Sequence, residues 1–534
     1  MIPKIIHFTW VDHNLPEAYK KVVDSWRLHH PDWQINIWSD EDNRALIEDH
    51  YPWFLEIYDA YPKAIMRCDA VRYFILHHEG GVYSDLDVEC LGSIDGLMGA
   101  SRLFLSAEPE KHLEERQASA RGFPYLLCNA LMGSERGNGF WNHVHEVLVK
   151  QRESYTVLDA TGPFMLTGAV MTVADELRPD VLLADSWSPH DKHGNSCHDS
   201  AAYRQTMYAQ FNCLDTVDKP LLNHLWHGSW SNKDLNRRPK RKSLKQIWRE
   251  LRCPELDYKD IASAIVIDNQ RLEQVTSHPR ILIATPMKNA ASNIERYREM
   301  IEALDYPCEQ IDVAILYSDC IDKTEELLMQ LKSSWSERFH SVWIERLDFG
   351  FHLKVKRWDR SVQLRRRSIL AQCRNRLASR ALEGYEYCLF IDVDLSDLPT
   401  DLIQQMLSSQ RDVVMANCVK EDGKPFDKNA FLYEKLPDFK YLYRYARKEG
   451  LLQPPSGTPR IYLTELNYLN LVPLDCVGGT ALLVKSEVLK QGVTFPESPY
   501  NYHIETEGFG LMARDRGFTV VGMPNLHVVH PSNE

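Results

Sequence analysis

The chain has 534 residues, 44% of them hydrophobic and 26% charged, and its 62 Lys and Arg against 75 Asp and Glu leave a net charge of −13. This composition belongs to a globular protein of about two to four domains and excludes disorder, collagen and coiled coil as its main character. The acidic balance also disfavours a protein that coats nucleic acid, so no nucleic-acid partner is expected.

The 12 cysteines stand singly with no Cys-x-x-Cys pair, as in proteins whose thiols stay reduced. No basic, apolar, cleavable leader precedes the first apolar run. The most membrane-like stretch, 160–174, is shorter than the roughly 20 residues that span a bilayer, and it contains Gly162, Pro163 and Gly168. A soluble, cytoplasmic chain with no transmembrane segment is expected.

In chain order, the first predicted strand covers 2–8. A helical pattern follows at 68–77, and the run GGVYSDLD at 80–87 reads as a glycine stop, a strand and an acid pair, Asp85 and Asp87. A basic tract at 237–252 carries eight basic residues and one acid; it reads either as a contact for phosphate or an acidic membrane or as a solvated linker helix whose Leu244, Ile247, Trp248 and Leu251 face a domain. A second opening strand is predicted at 281–285, a helix at about 363–382, and a strand at 386–391 that delivers Asp392 and Asp394. Strands alternating with helices in both halves imply an α/β sheet in each, repeating one plan without evident sequence identity. The expected domains are 1–252 and 280–534, joined by a linker at 253–279.

Acids at i and i+2 of an extended backbone project to one face. Such hard oxygen ligands suit Mg²⁺ or Mn²⁺, with substrate phosphates and water completing the shell. Each pair stands at the C-terminal end of an apolar strand, where open α/β sheets place their ligands.

The first half carries five motifs in order: IPKIIHFTW at 2–10, Asp69 with Arg72 and Tyr73, GGVYSDLD at 80–87, TGP at 161–163 and WHGSW at 226–230. Together they resemble the sugar-binding region of glycosyltransferase family 32, which contains a DXD motif. The resemblance implies a GT-A fold, a Rossmann-like nucleotide-sugar-binding architecture, and sugar transfer with retained anomeric configuration. It also implies that Trp10 stacks on the donor base, that Asp69 and Arg72 hold ribose and sugar, that Asn129 lies near the sugar, and that Ser229 and Trp230 close over the diphosphate. Asp85 and Asp87 then hold the metal, with His227 as a further ligand.

The second half carries QLRRRSILAQCRNR at 363–376, IDVD at 391–394, VGG at 477–479, IETEGF at 504–509 and GMPNLHVVH at 522–530. These resemble the Anp1 family of fungal mannan polymerase subunits, glycosyltransferase family 62. The resemblance implies a second GT-A domain using GDP-mannose and Mn²⁺, with Asp392, Asp394 and His530 as ligands and His527 as a nearby decoy. Seven residues apart on a helix, Arg367 and Arg374 share a stripe that can meet a diphosphate, while Ile369, Leu370, Cys373 and Leu377 form the buried side. Glu505 and Glu507 either position acceptor or sugar, Glu505 then being catalytic, or serve as a cap or salt bridge.

The sequence thus predicts two tandem GT-A catalysts, each with one Mn²⁺ or Mg²⁺, adding successive sugars to a glycan acceptor, with the donor of the first domain open. Two readings compete: an effector that glycosylates a protein, and one active domain presented by a scaffold. A metal-dependent phosphodiesterase would want a two-metal cluster of carboxylates and histidines, which neither half shows at short spacing.

Overall fold

The computed structural model describes residues 1–154, 156–214, 220–227, 266–353, 355–356, 359–433 and 460–532. Ser229, Trp230, the basic tract at 237–252 and the first part of the expected linker lie outside the described residues. The chain divides into two compact units, Met1–Lys245 with Glu465–Leu469, and Gln246–Thr464 with Asn470–Glu534. Among the described residues no helix is long and apolar enough to cross a membrane.

The first unit contains β1 (Ile5–Thr9), β2 (Gln34–Trp38), β3 (Gly81–Ser84), β4 (Val88–Cys90), β5 (Leu103–Ala107), β6 (Leu127–Ser134), β7 (Asp180–Leu182), β8 (Cys213–Leu214) and β9 (Leu222–His224). Seven of them form a mixed sheet in the order β2-β1-β3-β6-β5-β7-β8, and β4 pairs with β9 apart from it. Within the sheet only β6 runs antiparallel to its neighbours, β3 and β5. The C-terminal ends of β1, β3 and β5 therefore share one edge.

The predicted helix at 68–77 is longer, Ala64–His78, and residues 69–76 are all buried, Asp69 and Arg72 among them. It stops at Gly80 and Gly81, both with positive φ. A Cβ at Gly81 would lie 2.6 Å from the Ile5 carbonyl oxygen, so glycine is what lets β3 enter the sheet against β1. Ile6, Phe8, Val82, Phe104, Leu131 and the indoles of Trp26 and Trp187 belong to the core of this unit.

The second unit contains β10 (Ile281–Met287), β11 (Ile311–Tyr317), β12 (Ser341–Arg346), β13 (Tyr387–Ile391), β14 (Val413–Lys420), β15 (Phe431–Tyr433), β16 (Arg460–Tyr462), β17 (Val472–Pro473), β18 (Ala481–Lys485) and β19 (Val520–His530). Its eight-stranded sheet has the order β12-β11-β10-β13-β18-β14-β19-β17, with β18 antiparallel to β13 and β14. Parallel β-pairs read as continuous apolar runs when both faces are covered, and Ile281, Ile283, Val313, Ile315, Leu389 and Ile391 are all buried.

Both units are mixed α/β sheets, as foreseen, and they share a feature that sequence patterning did not reveal. In each, the strand that delivers the acid pair lies between the first strand of its unit, parallel to it, and an antiparallel partner: β3 between β1 and β6, β13 between β10 and β18.

Candidate functional sites

Asp85 and Asp87 leave the C-terminal end of β3. Asp85 is anchored to β6 by its backbone N–H, which donates to the Ala130 carbonyl at 2.8 Å. Its carboxylate accepts a hydrogen bond from the Tyr83 hydroxyl, Oδ1 to OH 2.9 Å, and lies 3.3 Å from Arg72 Nη1. Arg72 is buried in the helix that precedes β3; its other arm is 2.9 Å from Asp69, and its Nη1 donates to the Asn129 carbonyl at 2.8 Å. Asn129 returns to Asp69 through Nδ2 at 3.2 Å. Asp69, Arg72 and Asn129 therefore form a buried network that ends at the part-exposed Asp85.

Burial pushes the Asp69 carboxyl up to about 7, against the pull of Arg72. Asp85 is also raised by burial, with Arg72 opposing and Asp87 adding repulsion. Asp87 is moved up by burial too, but the His224 imidazole and the His227 backbone N–H outweigh that and leave it below the ordinary value.

The histidine that meets the acid pair is not the expected one. His224 Nε2 lies 3.4 Å from Asp87 Oδ1, whereas His227 contributes its backbone N–H to Asp87 Oδ2 at 2.9 Å. The cause is strand register: β9 pairs with β4 so that His224 stands opposite Val88, beside Asp87, and is buried, while His227 has passed beyond the strand and is exposed. The Trp10 ring is partly buried against Tyr19, with centroids 4.9 Å apart.

In the second unit Asp392 and Asp394 leave β13. The Asp392 N–H donates to the Thr480 carbonyl at 3.0 Å, and its carboxylate lies 3.2 Å from Arg374 Nη2. A Cβ at Gly479 would stand 2.4 Å from that Nη2, so this glycine clears the path of the guanidinium. Arg374 Nη1 pairs with one oxygen of Glu505, and Arg367 Nη1 lies 2.9 Å from the other. Glu505 is fully buried, with φ +49°. Both its oxygens hold arginines, which fixes the spacing of Arg367 and Arg374. Glu507 faces Arg460 at 3.7 Å and is raised by burial.

His530 ends β19, and its Nε2 lies 3.4 Å from Asp394 Oδ2. The two strands are not neighbours. The loop after β13 crosses the sheet edge, with Ser396 N–H on the Val529 carbonyl and Val529 N–H on the Asp397 carbonyl, each at 2.8 Å. Phe426 stacks on the imidazole at 3.5 Å and 11°. Strand alternation turns His527 outward. Burial raises Asp392 to about 6, opposed by Arg374 and reinforced by the charges of Asp394 and Asp427.

Sequence reasoning missed Asp427. Its Oδ2 accepts from Gly479 N–H at 3.2 Å and from the Thr480 hydroxyl at 2.8 Å, and so it holds the turn whose Thr480 carbonyl accepts the Asp392 N–H. It also missed Tyr83 as a partner of Asp85. The alternation of β3, which puts Tyr83 and Asp85 on one face, was a usable signal for Tyr83; nothing local announces Asp427. Among the described residues no three His, Cys, Asp or Glu side chains converge as a ready metal cage. The donor sets fit a hard divalent ion that shares its shell with a diphosphate, and do not fit a closed protein site.

Residues 16–104 match the family model described as "Glycosyltransferase sugar-binding region containing DXD motif", and residues 266–499 match the Anp1 family model. Two different family models thus match two separate segments of the chain. Among curated relatives, the "Mannan polymerase II complex anp1 subunit" of Schizosaccharomyces pombe is 29% identical over 316 residues, 53% of this chain and 71% of the relative. "Inositol phosphoceramide mannosyltransferase 1" of the same yeast is 40% identical over 129 residues, 23% of this chain and 40% of the relative. The chain thus spans well under half the length of that second relative. Of solved structures, a Pyrobaculum calidifontis mannosyltransferase in complex with GDP-Man and Mn²⁺ matches at 16% identity and a TM-score of 0.29, covering 53% of this chain and 61% of that one. A likeness that weak carries no weight here; the α/β assignment rests on the sheet topologies themselves.

Proposed function

We propose that the chain is a bifunctional, metal-dependent glycosyltransferase whose two units add successive sugars to one glycan, each with retained anomeric configuration, at least one sugar being mannose from GDP-mannose. One observation carries the reading: in both units an arginine from the helix preceding the acid strand grips the first acid of the pair, Arg72 on Asp85 and Arg374 on Asp392. Two sites built alike, each with its acids intact, weigh against a scaffold domain. The names of the two yeast relatives, a mannan polymerase subunit and a mannosyltransferase, support mannose as a transferred sugar.

Asp85 and Asp87 would hold one Mn²⁺ or Mg²⁺, with His224 rather than His227 beside them, and Asp392 and Asp394 with His530 would hold another. When bound, such an ion neutralises charge on a leaving diphosphate. The chain's own residues orient and bind. Arg72 and Arg374 oppose the burial that would neutralise the first acid of each pair. Trp10 offers an aromatic face to the donor base, and Asp69 and Asn129 offer polar atoms to ribose and sugar. A glycan acceptor and a cytoplasmic setting belong to the same reading, whereas Ile267, Leu272 and Val275 of the expected linker pack into the core of the second unit.

Incubation with a panel of nucleotide sugars and Mn²⁺, reading released nucleotide and products on glycan and protein acceptors, tests it. Transfer from GDP-mannose to a glycan is expected; release from no donor, or transfer to protein alone, overturns it.

A further inference from the structure

At the end of β5, two consecutive residues hold two aromatic arms. The Ala107 carbonyl accepts from the buried Trp187 indole N–H at 2.9 Å, and the Glu108 carboxylate lies 2.7 Å from His112 Nδ1. Glu108 and His112 are both buried, and the acid fixes which imidazole nitrogen carries the proton. The other nitrogen, Nε2, is buried with no hydrogen-bond partner among the described residues, so packing alone accounts for the placement of that side of the ring.

What it packs against is Trp226. The His112 and Trp226 rings meet edge to face at 5.0 Å and 80°. Trp226 also lies against His224 at 3.8 Å and 31°, and His224 stacks on Trp187 at 5.3 Å and 30°. The indole N–H of Trp226 donates to the His190 carbonyl at 2.8 Å. Trp226 has φ +50°, a conformation that bulky residues rarely adopt unless their surroundings impose it. The residues on either side of this constrained position are the ones that reach Asp87: Leu225 N–H on its carbonyl at 2.8 Å, His227 N–H on Oδ2, and the His224 imidazole on Oδ1.

We propose that Glu108 and His112 form a positioning pair of the first sugar-transfer site: His112 clamps Trp226 in its left-handed backbone conformation and thereby sets the groups that orient Asp87. The inference rests on the reading of the first unit as a nucleotide-sugar site. Neither residue touches the acids directly, so the effect is on binding geometry, through the rings.

The two features of His112 can be separated. His112→Asn keeps a donor near the Nδ1 position for Glu108 but removes the ring; the double variant E108Q/H112F keeps an aromatic ring and leaves no buried unpaired charge. In the chain carrying Asp394→Asn, to silence the second site, calorimetric binding of Mn²⁺ with GDP and with UDP is measured beside melting curves. H112N is expected to weaken binding of the better nucleotide about tenfold, the scale on which outer partners of metal ligands act, without a comparable fall in melting temperature. E108Q/H112F should stay within about threefold of the parent. Parent-like binding by H112N overturns the clamp, as does equal loss in both variants. Asp87→Asn in the same background separates the two failures. If it loses binding while H112N does not, only the clamp is wrong; if it too binds like the parent, the nucleotide-sugar reading of the first unit falls and the clamp with it.

Discussion

Arg374 stands 3.2 Å from Asp392 and is buried by the same helix, Arg360–Ala378, that was expected to present it to a diphosphate. Its guanidinium is held by a carboxylate on each side, Asp392 and Glu505. An arginine so placed acts first on the acid pair, because truncating one partner of a buried ion pair leaves the other charge uncompensated.

Separate sites predict separable losses. Asp87→Asn is expected to abolish the first transfer while the second unit still extends a pre-elongated acceptor, and Asp394→Asn to stop the product one sugar short. Each substitution keeps size and removes charge, so a loss of about 10² or more is expected. Mass spectrometry of products and melting curves check it; loss of both transfers in one well-folded variant refutes independent sites.

Gly479→Ala tests the path of Arg374. The new Cβ would meet Nη2 at 2.4 Å and, on its far side, the Thr506 methyl at 3.1 Å. The guanidinium must then shift off Asp392. The second transfer is expected to fall at least tenfold while the first is unchanged, measured as product yields on defined acceptors.

Both transfers are expected to require a divalent ion and to run faster with Mn²⁺ than with Ca²⁺, since two carboxylates and a diphosphate make a compact oxygen shell. Turnover assays after chelation and re-addition of each metal decide this, and full activity in excess EDTA would sink it.

Acid should destabilise the fold through buried neutral histidines. Burial depresses His7 to about 4, His145 to about 3 and His503 to about 4. Their folded-state values lie below the unfolded one, so the unfolded chain binds more protons and stability present above pH 6.5 is lost as pH falls toward 4. The loss is about 1.4 kcal/mol per pH unit for each histidine. Denaturant unfolding at pH 7 and pH 5 measures it. His145→Phe, whose ring can keep the 3.9 Å stack on Phe74, should flatten the slope by one histidine's share.

The sequence by itself determined the two α/β halves, the acid pairs at strand ends, and the arginines and glycines around them. These are local facts: apolar runs of strand length, a glycine pair at a helix stop, acids at i and i+2. Tertiary structure alone decided the partners. His224 displaced His227 beside Asp87 because pairing of β9 with β4 places residue 224 opposite Val88, a register no local pattern encodes. Asp427 lies 35 residues beyond Asp392 and meets its turn only because β14 and β13 end on the same sheet edge. His530 reaches Asp394 because the loop after β13 bridges to β19. Glu505 holds two arginines, since packing of helix Glu505–Asp515 on Arg360–Ala378 buries it and a carboxylate buried so completely needs cationic partners.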